Sequence, residues 1–71
     1  MPQHFPQLRT ELVDRVLSRT GRRVRNLNIE LLPERVILRG QAATFHVKQL
    51  AQQGIREVLP GVCLENAITV S

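Results

Sequence analysis

The spacing of apolar residues changes along this chain, and each change predicts a new element. Leu8, Leu12, Val13, Val16 and Leu17 fall on one face of a helix over about residues 7–20. Pro6 suits its first turn, where a missing N–H costs nothing, and Gly21 suits the left-handed residue that ends a helix. Glu11 and Arg15 stand four apart in the favourable orientation and are expected to pair. From Arg25 to Leu32 the period drops to two. Leu27, Ile29 and Leu31 take one face and Asn26, Asn28 and Glu30 the other, as in a half-buried strand. Pro33-Glu34 interrupts, and Val36-Ile37-Leu38 resumes as a second strand, close enough to form an antiparallel hairpin with the first. Its unbroken apolar run suits the centre of a sheet.

Gly40 is read as the end of that strand. A second helix begins near Ala43 or Thr44, with Val47, Leu50, Ala51, Gly54 and Val58 on one face. A mid-helix glycine costs about 1 kcal/mol against alanine, so Gly54 is expected to permit a close approach to the sheet or to the first helix. Pro60-Gly61 stops the helix. Val62, Leu64, Ile68 and Val70 then alternate with Cys63, Glu65, Ala67 and Thr69 in a last strand. Gly40 and Gly61 are thus expected at structural turns.

The fold class that follows is α+β. It has α-β-β-α-β order, with two helices packed on one face of a three-stranded mixed sheet and a right-handed crossover into the last strand. The other sheet face carries Asn26, Asn28, Glu30, Ile37, Arg39, Glu65 and Thr69 and should be mostly wet. Residues 1–6, with two prolines and no periodicity, are expected to be a flexible lead to a single domain over 7–71.

This order and its short motifs resemble the BON-domain family, small modules of bacterial envelope and osmotic-stress proteins. The shared features are the apolar face of the first helix, Val36-Ile37-Leu38-Arg39-Gly40, Gly61-Val62, and Asn66-Ala67-Ile68-Thr69-Val70. Together they cover residues 8–71. Pro33-Glu34-Arg35 stands where the family usually has a glycine, and the step from Val62 to Asn66 is slightly short, which leaves the register of the last strand open. The resemblance implies a non-catalytic binding or adaptor role at phospholipid or envelope surfaces, usually as one module among several.

Charge sharpens that picture. Residues 1–25 hold Arg9, Arg15, Arg19, Arg22, Arg23 and Arg25 against Glu11 and Asp14, while residues 26–71 balance four cations with four carboxylates. The whole excess of +4 therefore sits at one end of the sequence. Arg15, Arg19, Arg22, Arg23 and Arg25 are the candidate site, a positive flank for anionic head groups or another polyanion. The plainer reading is a solvated helix flank whose cations complement the C-terminal dipole.

Other chemistry is sparse. His4 and His46 have no ligand cluster, so neither a metal nor another cofactor is expected. A lone Cys63, expected to be small and half-buried, excludes an internal disulfide. Glu11 with Asp14, and Glu30 with Glu34, have no reason for perturbed acidity, and no nucleophile has a base beside it, so no enzyme is expected. Nucleic acid is the natural rival for a pI of about 11.1. A chain with two phenylalanines, no Trp and no Tyr offers little to stack on bases, and it lacks a Gly-x-x-Gly loop.

The partner classes are anionic lipid, another protein or a second copy, with non-specific binding of nucleic-acid phosphates as the further alternative. A core of 71 residues gains from association, and ring-building domains of secretion machinery have related small architectures. The chain as written shows no export signal and no run long enough to span a membrane. That reads as cytoplasmic, or as periplasmic and envelope-bound if it is a piece of an exported protein.

Overall fold

The computed structural model describes residues 5–71, with side chains from Gln7 onward. Most of the expected lead, and His4 with it, lies outside the described residues. Helix α1 spans Phe5–Thr20, strand β1 Val24–Leu31, strand β2 Arg35–Ala42, helix α2 Phe45–Val58 and strand β3 Cys63–Val70. The sheet runs β1-β2-β3, with β1 antiparallel and β3 parallel to the central β2. The α+β architecture read from the periodicities is the one found. β3 holds one unbroken register from Arg35↔Cys63 to Ala42↔Val70, despite its short approach from Val62.

Helix α1 buries Leu12, Val16 and Thr20, one residue per turn, with Leu8 and Val13 packed beside them. The Thr20 hydroxyl donates to the Val16 carbonyl at 2.8 Å, so this buried polar group has its partner. The helix ends as expected at Gly21, with φ at +64°. The Arg22 N–H reaches back to the Leu17 carbonyl at 2.9 Å, and the Gly21 N–H to that of Ser18 at 3.4 Å. This is the paired closure that a left-handed residue makes possible.

Gly40 does not end β2. The strand continues through it to Ala42, and the reason lies in its neighbour. The β1–β2 register slips between Arg25 and Asn28, leaving one extra residue in β1, with Asn26 at a φ of +55°. Such a bulge reverses which face later side chains take. Val24 and Ile29 can therefore both reach the core, although they stand five positions apart, an odd step along the strand. Gly40 faces this bulge. A Cβ there would lie 2.9 Å from Val24 Cγ1 and 3.0 Å from the Arg25 carbonyl oxygen, and its φ is +155°. Gly61, by contrast, does sit in the Leu59–Val62 turn, but open space surrounds it.

Thr44 caps α2, its hydroxyl accepting from the Val47 N–H at 3.2 Å. The buried face is Val47, Ala51, Gly54 and Ile55, with Leu50 and Val58 half-buried. Of the two partners open to Gly54, it meets α1. An added Cβ would lie 3.2 Å from Val16 Cα and 3.3 Å from the Arg15 carbonyl oxygen. Asn66 ties the other side of α2 to β3. Its Nδ2 donates to the Lys48 carbonyl at 3.0 Å and to Gln52 Oε1 at 3.3 Å, and its Oδ1 accepts from the Ile68 N–H at 3.2 Å.

The outer sheet face is wet except at one point. Ile37 is 5% exposed yet stands outside the main core cluster. Glu30 and Glu65 flank it across the sheet, and Arg39 and Arg35 lie two residues away along β2. The pairs Arg39–Glu30 at 3.0 Å and Arg35–Glu65 at 3.5 Å bring four aliphatic stems around it.

These glycine environments predict an order of sensitivity. Gly40→Ala should cost about 3 kcal/mol, from backbone strain together with overpacking. Gly54→Ala should cost about 1 kcal/mol net, since displacing α1 backbone outweighs the gain in helix propensity. Gly61→Ala should stay within about 0.5 kcal/mol. Urea unfolding midpoints that rank the three otherwise would refute this account.

Candidate anion-binding surface

The five arginines singled out by sequence do not form one patch. Arg15 and Arg19 turn toward α2 and hold the same carboxylate. Arg15 Nη1 donates to Glu57 Oε1 at 2.9 Å, and Arg19 Nη2 pairs with Glu57 Oε2. Arg15 thus pairs across the helix interface rather than with Glu11 on its own helix. The close approach at Gly54, one turn before Glu57, brings the two helices near enough for this. The Glu57 carboxyl is held below the ordinary glutamate range, first by the hydrogen bond from Arg19 and then by that from Arg15. Two of the candidate cations are therefore largely spent on structure.

Arg22, Arg23 and Arg25 occupy a different place. They follow the α1 terminus into β1 and lie at the end of the sheet where β2 and β3 finish. Val24 pairs with Ala42, and Ala42 with Val70, so a line across the sheet joins these segments. At strand spacings of about 4.8 Å, this line is roughly 10 Å long. Arg23 Nε donates to the Thr20 carbonyl at 3.0 Å, which folds its guanidinium over the end of α1. Arg22 and Arg25 are exposed, and none of the three has a carboxylate partner among the described residues.

Two apolar side chains share this end and were not singled out by sequence. Phe45, the first residue of α2, is 61% exposed, and Val70, the last of β3, is 40% exposed. The Thr44 capping signal was available in the sequence and would have put Phe45 off the buried face. Val70 obeys the alternation of β3 but is the strand's last residue, paired with Ala42 where β2 finishes. Lys48, one turn into α2, adds a cation on the Phe45 side, where both line a shallow hollow with Gln49 and Gln52.

The remaining candidates are solvent-facing. His46 is exposed on α2, as expected, and Cys63 is exposed rather than half-buried. Among the described residues, no helix is long and apolar enough to cross a membrane. Comparison with known families, curated proteins and solved structures gives no match to this chain.

The Glu57 clamp makes a signed prediction. A carboxylate held below its unfolded pKa stabilises the fold above that value, and the benefit is lost as pH falls through the folded one. Glu57→Gln should therefore lower the urea midpoint at pH 7. The gap to the native chain should close as the pH drops below the ordinary glutamate value of about 4.3. A gap that is constant from pH 7 to pH 3 would exclude the clamp as its source.

Proposed function

We propose that this chain is a non-catalytic binding module that docks on an anionic surface, phospholipid above all, through Arg22, Arg23 and Arg25. The observation that carries this reading is the grouping of three arginines with no carboxylate partner among the described residues, at the end of the sheet that also holds exposed Phe45 and Val70. Charges left without partners create a local field that a polyanion neutralises. The resemblance to BON modules, with their phospholipid and envelope surfaces, supports the same class of role and belongs to the same proposal. Either compartment offers such a surface. A chain kept inside the cell meets the anionic cytoplasmic leaflet, and an exported one meets the envelope.

Co-sedimentation with vesicles of mixed anionic and neutral lipid, against purely neutral vesicles, tests the proposal. Binding should require the anionic component and weaken with salt. Arg22→Ala and Arg25→Ala should each reduce it by about 5-fold, the equivalent of about 1 kcal/mol per basic residue. Arg15→Ala should change it less, because that guanidinium is already engaged by Glu57. Equal binding to neutral vesicles, or none to either, would overturn the proposal.

A further inference from the structure

We propose that the domain meets the bilayer end-on, with Phe45 and Val70 entering the interfacial layer while Arg22, Arg23 and Arg25 contact lipid phosphates. This rests on the anionic-surface reading and adds to it the orientation and the requirement for a bilayer rather than a soluble polyanion. Three large apolar side chains are exposed among the described residues: Leu32, Phe45 and Val70. Leu32 lies at the β1–β2 turn, the far end of the sheet. Val70 lies at the arginine end through the Val24–Ala42–Val70 line of strand pairing, and Phe45 opens α2 three residues after β2 finishes there at Ala42.

Thr44 fixes this arrangement, since capping α2 at that position holds Phe45 at the helix start, away from the buried face of Val47, Ala51 and Ile55. An exposed aromatic ring at the same end as unpartnered cations suits the boundary between head groups and acyl chains. A soluble phosphate cluster satisfies the arginines but gives Phe45 and Val70 nothing to enter. A protein partner carrying both carboxylates and an apolar patch is the rival occupant, and vesicle binding by the purified chain distinguishes it.

The chain contains no Trp and no Tyr, so one introduced indole reports from one place. Phe45→Trp and Leu32→Trp are compared with phosphatidylserine–phosphatidylcholine vesicles, with phosphatidylcholine alone, and with inositol hexakisphosphate. The expected result is a blue shift of the Phe45→Trp emission, and its quenching by brominated acyl chains, with the anionic vesicles only. Leu32→Trp should bind equally and show neither effect. Phe45→Ser, with an unchanged circular dichroism spectrum, should weaken vesicle binding about tenfold. Vesicle binding without shift or quenching at position 45, or with both at position 32, overturns the end-on orientation and leaves the anionic-surface reading standing. Absence of vesicle binding by the native chain overturns both.

Discussion

One extra residue in β1, accommodated opposite a glycine in β2, governs how the rest of the molecule is assembled. Side chains alternate strictly along a strand, so Val24 and Ile29 would face opposite sides of an unbroken β1. The bulge at Asn26 removes that conflict, and both reach the core at 5% and 0% exposure. It requires a left-handed Asn26, which asparagine tolerates better than most residues, and a partner without a Cβ. Gly40 supplies the second condition. The bulge also fixes where the chain enters the sheet from α1. The arginine end of the domain is therefore set by backbone geometry rather than by its own charges.

The helix pair then sorts those charges. The approach at Gly54 brings α1 near α2, and Glu57 takes up both Arg15 and Arg19 across the gap. On the outer sheet face, Arg35 and Arg39 are likewise engaged by Glu65 and Glu30 over Ile37. Within residues 1–25, the engagement of Arg15 and Arg19 leaves Arg9, near the start of α1, and the group Arg22, Arg23 and Arg25 at its end. Exposed pairs of this kind contribute little stability singly. Their larger effect is to decide which cations are left available to a partner.

The elements were legible because each has a clean period. Leu8 to Leu17 reads as helix, Leu27 to Leu31 as strand, and the Val36 triplet as the sheet centre. What stayed hidden depends on contacts between distant residues. A glycine after an apolar triplet looks like a strand end, and nothing local to Gly40 announces a bulge at Asn26, fourteen residues earlier. Arg15 has an acid four residues before it, so its partnership with Glu57 could come only from the packing of two helices. Ile37 sits where alternation puts it, on the outer face, but its burial depends on arginine stems from its own strand and their acids on the neighbours. The site was half legible. The arginine excess was visible in the sequence, but its division into a structural pair and an available trio was not.

Asn66 has a consequence for the outer boundary of the sheet. The Ser71 N–H bonds the Ala42 carbonyl, so odd-numbered residues of β3 turn their backbone groups toward β2 and even-numbered ones turn theirs outward. Ile68 is among the outward residues, and its N–H is already taken by the Asn66 side chain, which α2 holds in place through Lys48 and Gln52. A foreign strand seeking to extend the ladder finds the outward Ile68 donor occupied and an amide side chain beside it. A single asparagine thus makes β3 a poorer template for a further strand. Any association with a second copy would have to displace that asparagine or use another surface.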